Sequence, residues 1–233
     1  MIRIEQLTKR YGDTTVLDIP ALEIPEGQIF GLVGNNGAGK TTLFSLFLDL
    51  IQATEGTVTI NGIEVHRSEE WKAKTAAFLD DSFLIGYLTP EEYFYFIGEL
   101  RGVSKPQVDE LMDSFSDFFN DEILNQKKYI RDLSKGNQKK VGVVATFIGD
   151  PELLILDEPF ANLDPTTQIR LKELLVEKGK DIQKTILISS HDIQHVTEVC
   201  ERIAVLEKGT IVQDHKTSSK TQKELEAFFS NQT

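Results

Sequence analysis

One stretch limits the architecture of this chain more than any other. "QIFGLVG" (residues 28–34) is a short apolar run ending in glycine, "GNNGAGKT" (34–41) follows, and "KTTLFSLFLDLI" (40–51) then repeats its apolar residues with a helical period. A strand, a glycine-rich turn and a helix in that order form a phosphate-binding unit. The glycines let successive backbone N–H groups close around an anion, and the start of the helix adds the positive end of its dipole. The spacing fits G-x-x-x-x-G-K-[ST], in which Lys40 reaches the β- and γ-phosphates of a nucleotide and the Thr41 hydroxyl binds Mg²⁺. On this reading Asn35, Asn36, Gly37, Ala38, Gly39, Lys40, Thr41 and Thr42 line the nucleotide site.

The remaining strands point to an α/β fold. "MIRIEQL", "TVLDI" and "TVTI" alternate or cluster β-branched residues between breaks and predict an N-terminal antiparallel β subdomain. "ELLILDEP", "KTILISSHD" and "RIAVLEKGTIV" alternate with helical stretches, one of them from about Pro165 to Lys178 and one from Asp192, which predicts a mainly parallel, helix-covered sheet. Between about 81 and 150 no strand pattern is visible, and 10 of the chain's 20 aromatic residues lie between positions 83 and 129. This segment is expected to be an inserted helical subdomain whose aromatic stripe is its own core; the alternative is a groove for another protein. A short C-terminal helical tail is expected over about 215–233, around "LEAFF". The whole chain, 1–233, thus reads as a single nucleotide-binding domain.

Two strand ends carry further chemistry. In "LLILDEP" (153–159) a run of apolar residues, buried on both faces, ends in two carboxylates at the sheet edge where open α/β sheets bind ligands. Asp157 there would hold the Mg²⁺ shell, and Glu158 would act as general base on the water that attacks the γ-phosphate. "ISSHD" (188–192) ends another apolar strand and brings His191 to the same edge, within reach of the γ-phosphate. His66, His195 and His215 have no comparable context.

Composition excludes several classes. Lys and Arg number 25 against 37 Asp and Glu, a net charge of −12, which opposes broad binding to nucleic acid. The single Cys200 rules out an internal disulfide and fits a reducing compartment. No apolar run approaches the ~20 residues of a membrane span, and "MIRIEQLTKRYGD" lacks the plan of a signal peptide, so a cytoplasmic location is expected. Within this acidic chain, "RDLSKGNQKKVGVV" (131–144) is a basic exception, with Arg131, Lys135, Lys139 and Lys140 around a serine and a glycine.

The order of these motifs resembles the ATP-binding-cassette (ABC) ATPases along essentially the whole chain. "LSKGN" (133–137) stands at the position of that family's L-S-G-G-Q signature. The resemblance implies that Ser134 and Gly136 bind the γ-phosphate of ATP held by an opposite subunit, that Tyr11 in "KRYGDTTVL" stacks on adenine with Val16 beside it, and that "FANLD" (160–164) is the D-loop, with Asp164 at the subunit interface. It also implies a head-to-tail homodimer, or a heterodimer with a related subunit, around two ATP molecules. That dimer would power a separate transmembrane permease and hold the chain at the inner face of the cell membrane. Three positions depart from the family pattern: Lys135 and Asn137 in the signature, and Asp80 where a Q-loop glutamine is usual. The lysine-bearing signature looks like the exporter branch. Asp80 can hold Mg²⁺ or its water through a shorter side chain. The alternative is a soluble ABC ATPase acting on ribosomes, nucleic acid or cofactor assembly, and the net charge opposes its nucleic-acid forms.

Overall fold

A computed structural model describes residues 2–230. The alternating N-terminal segments form an antiparallel sheet in which β1 (Ile2–Tyr11) lies between β2 (Thr14–Ile24) and β4 (Glu55–Ile60), with β5 (Ile63–Glu64) at the far edge. The second sheet holds β3 (Ile29–Val33), β6 (Thr75–Phe78), β7 (Leu153–Asp157), β8 (Thr185–Ser190), β9 (Arg202–Glu207) and β10 (Thr210–Lys216) in the order β10-β9-β3-β8-β7-β6. Every neighbouring pair in it is parallel except β9 with β10.

Apolar residues in continuous runs are what a strand covered on both faces requires. Ile29 and Val33 of β3, Leu154 and Leu156 of β7, and Ile186 and Ile188 of β8 face one core, shared with the helical segment. Their alternates Phe30 and Leu32, Leu153 and Ile155, and Leu187 face a second core, shared with the antiparallel sheet and with α1 (Lys40–Phe47). The parallel sheet is therefore the middle layer, and its strand ends are the place where both halves of the molecule meet.

The segment after β6 contains α2 (Pro90–Leu100), α3 (Lys105–Ser114), the single turn α4 (Ser116–Phe119) and α5 (Lys135–Ala145). Thr89 and Glu92 form a capping box at the start of α2, with Pro90 in the first turn where its missing N–H costs nothing. Tyr93, Phe94, Phe115, Phe118 and Phe119 are buried, and Phe94 stacks on Phe119 with centroids 5.9 Å apart. Phe83, Tyr87 and Tyr129 stay exposed, at 60%, 68% and 46%. Beyond β7, α6 (Pro165–Lys178) is capped by Asp164 and α7 (Ile193–Val199) by Asp192.

Three local features differ from the sequence expectation. α1 stops at Phe47, because Leu48 leaves the helical region and Asp49 turns left-handed at φ 51°. β6, "TAAF", is too short for its period to be read. The C-terminal tail begins as the last residues of β10 and becomes helical only in α8 (Thr221–Ser230); its residues 231–233 lie outside those described.

Candidate active site

The loop between β3 and α1 owes its shape to its glycines. Gly37 and Gly39 take φ of 83° and 109°, a region that costs other residues strain, and a Cβ on Gly39 would meet Leu17 Cδ2 at 2.8 Å. Gly39 starts α1 without a side-chain cap, so the first N–H groups of the helix have no acceptor within it. Asn35, Asn36 and Gly37 form the exposed rim, which borders a cavity of about 300 Å³, while Gly39 and Lys40 are buried behind it. The loop has the form of an anion cradle.

Lys40 is 6% exposed and donates to the Gly34 carbonyl at 2.7 Å. Its Nζ also stands 3.2 Å from Glu158 Oε1 as an ion pair, and the buried Oε1 accepts no hydrogen bond among the described residues. The other carboxylate oxygen, Oε2, lies 2.9 Å from His191 Nδ1. Asp157, at the end of β7, accepts from the Thr41 hydroxyl and from the Ser189 hydroxyl of β8. Burial raises the Asp157 pKa, opposed by those two hydrogen bonds and by Lys40. Lys40, Thr41, Asp157, Glu158 and His191, taken from three motifs far apart in sequence, thus converge at the C-terminal ends of β3, β7 and β8.

Glu158 itself sits at φ 49°, an unusual backbone for a residue with a side chain. Its N–H donates to Ser189 Oγ at 2.9 Å, and its carbonyl accepts from Lys139 Nζ at 2.7 Å. Lys139 stands out in the sequence only as part of the basic stretch 131–144, and neither it nor Ser189 is tied to Glu158 there. A hydroxyl at a strand end beside a buried carboxylate is a readable signal for Ser189; Lys139 carries none.

Tyr11 ends β1 with 54% of its surface exposed and Lys9 Nζ 4.7 Å from its ring centroid. Val16, just into β2, adjoins the phosphate loop: its carbonyl would lie 3.4 Å from a Cβ on Gly39. Asp80 is exposed after β6 and accepts from the Ser82 N–H at 2.8 Å, an interaction that holds its pKa below the ordinary carboxylate value.

In "LSKGN", Ser134 caps α5, accepting from the Asn137 N–H at 3.2 Å. Gly136 lies against the D-loop of its own chain, where a Cβ would meet the Asn162 carbonyl at 2.8 Å. The basic cluster is less available than its sequence implies. Lys135 pairs with Asp81 at 3.4 Å, Lys139 is turned inward to Glu158, and Lys140, 3% exposed, faces Glu122 at 3.7 Å. What remains open to an anion here is the capped helix start, with Arg131 and the Asp81-paired Lys135 still largely exposed beside it.

The sequence model of a family described as "ABC transporter" matches residues 17–161. The chain is 33% identical over 216 residues to the bacitracin transport ATP-binding protein BcrA of Enterococcus faecalis, covering 92% of this chain and 68% of that protein. This chain belongs to the ABC transporter family. It is an ATP-binding member of it, and an ATPase. The methionine import ATP-binding protein MetN of Geobacillus kaustophilus is likewise similar, 33% identical over 224 residues, 91% of this chain and 65% of the relative. Among solved structures, the dimeric post-hydrolysis state of the ATP-binding cassette MJ0796, bound to ADP and Pi, shares the fold with a TM-score of 0.83 at 23% identity, over 94% of this chain and 100% of that one. No helix among the described residues is long and apolar enough to cross a membrane.

The site also fits the ions that ATP chemistry uses. Among the described residues there is no group of three or more His, Cys, Asp or Glu that could hold a metal. A hydroxyl and one buried carboxylate already joined to each other suit Mg²⁺, which keeps waters and takes its other ligands from substrate phosphates.

Proposed function

We propose that the chain is the energy-supplying subunit of an exporter, in which two ATPase subunits close around two ATP molecules and drive a separate transmembrane permease. The observation that carries the chemistry is the bracketing of Glu158 between Lys40 and His191, with its Oε1 buried and without a hydrogen-bond partner among the described residues. In this reading the backbone N–H groups of residues 35–42 and Lys40 bind the phosphates, with Tyr11 and Val16 against the adenine. Thr41 and Asp157 hold Mg²⁺, and Asp80 holds it or its water through the oxygen that does not cap Ser82. A metal held by these residues would supply positive charge to offset that developing on the phosphoryl group. Glu158 Oε1 takes the proton of the attacking water, and His191 keeps that carboxylate oriented while facing the γ-phosphate.

The second half of each site comes from the other subunit. Ser134, exposed at the start of α5, and the half-buried Gly136 beside it would meet the γ-phosphate held across a two-fold interface, where a helix N-terminus favours an anion. MJ0796 is a dimer in its ADP- and Pi-bound state, which supports this arrangement for the shared fold. The direction of transport rests on the lysine at position 135 and on the antibiotic named for BcrA. The exposed aromatics Phe83, Tyr87 and Tyr129 offer the apolar surface on which a cytoplasmic helix of the permease would dock. The chain would then be peripheral at the inner face of the membrane.

Extraction of native membranes in detergent tests the partner: a polytopic membrane protein should co-purify, and its absence from the ATPase-active fraction favours a soluble ABC ATPase. In vesicles reconstituted with that permease, cargo added on the ATPase side should stimulate hydrolysis. Stimulation from the opposite face alone would mean import.

A further inference from the structure

We propose that Lys139 is a positioning residue for hydrolysis, holding Glu158 in its left-handed bend through the Glu158 carbonyl. The inference rests on the reading of Glu158 as the general base. Glu158 occupies φ 49°, a conformation that strains a side-chain-bearing residue and persists only when its surroundings fix it. Its N–H is fixed by Ser189 Oγ at 2.9 Å. Its carbonyl accepts from two donors, the Ala161 N–H at 3.2 Å within the turn and Lys139 Nζ at 2.7 Å from α5. Lys139 therefore supplies the shorter of the two contacts at that carbonyl and, among the described residues, the only one from outside the turn.

Lys139 is a costly residue to place there. It is 7% exposed, and burial pulls its pKa down against the raising influence of Asp81, Glu158, Asp157 and Asp80. A buried ammonium donating to a main-chain carbonyl rather than to a carboxylate is expensive as a stability device, whereas it fixes the peptide that aims the Glu158 carboxylate between Lys40 and His191. Lys139 also lies five positions after Ser134, about 7.5 Å along the same helix. A shift of the α5 start is therefore transmitted to the bend that carries the base.

Lys139→Met keeps most of the stem and removes the donor. The expected result is a fall in kcat of tenfold or more, with the Kd for ATP within twofold of wild type and an unchanged urea midpoint. Lys139→Arg, which restores a cation of similar reach, should recover at least a third of that loss on a logarithmic scale. In a Glu158→Gln background, Lys139→Met should cause no further loss, because it acts through a carboxylate no longer present. A folded Lys139→Met protein with kcat within twofold of wild type overturns the inference, as does an undiminished loss in the Glu158→Gln background. Wild-type turnover by Glu158→Gln alone would instead remove the reading of Glu158 and this inference with it.

Discussion

Replacing Glu158 by Gln changes one charge and almost no volume. In the structure Oε1 faces Lys40 at 3.2 Å and Oε2 faces His191 at 2.9 Å, and an amide can keep a polar contact with each. The backbone bend, held by Ser189 and Lys139, does not involve the carboxylate at all. What is lost is the ability to take a proton, which is worth about 10²- to 10⁴-fold in rate, or about 3–5 kcal/mol of barrier at about 1.4 kcal/mol per tenfold. ATP binding should hold or tighten, since Lys40 no longer shares its charge with a neighbouring carboxylate. Phosphate release at saturating ATP is therefore expected to fall at least ~100-fold, equilibrium binding of a fluorescent ATP analogue should remain, and an ATP-dependent dimer should accumulate on size-exclusion chromatography with light scattering. A folded Glu158→Gln protein whose phosphate release falls less than tenfold would refute the argument. It would place the proton transfer elsewhere.

Adding Ser134→Arg to the Glu158→Gln variant should abolish that dimer while leaving nucleotide binding to each monomer; equal dimerisation by the double variant, measured by light scattering, would end the shared-site reading. Lys40→Ala should abolish productive ATP binding in an equilibrium titration, since it removes the buried ammonium that faces the phosphate loop. Asp164→Ala, which removes the cap of α6, should cost about 1 kcal/mol in urea unfolding at pH 7. Hydrogen bonds from Thr167 lower the native pKa of Asp164, so its contribution is complete above the unfolded value of about 3.9 and is lost as pH falls through the native one; the gap between variant and wild type should narrow accordingly. Phe83→Asp with Tyr87→Asp should cut co-purification of the permease and leave basal phosphate release near wild type, and undiminished co-purification would place the docking surface elsewhere.

How far the sequence reveals such a site depends on how tightly each side chain is tied to its backbone. Asp157 and His191 are short or stiff and follow strands that are apolar on both faces, so their place at the sheet edge follows from where the apolar run stops. Lys40 and Thr41 are fixed in the same way by the glycines before them. Long, flexible side chains break that link. Lys135, Lys139 and Lys140 lie within one basic stretch, yet their ammonium groups go to Asp81, to the Glu158 carbonyl and toward Glu122, partners up to 54 positions away (135 minus 81) that no local pattern indicates. The aromatics divide for a related reason. Tyr93 and Phe94 lie on a helix with a period and are buried, whereas Phe83 and Tyr87 lie in a non-periodic stretch where composition is the same and exposure is opposite. A cluster of lysines in a sequence is thus evidence of where the stems begin, and the sign of the surface they leave behind is decided by carboxylates and carbonyls that only the fold brings near.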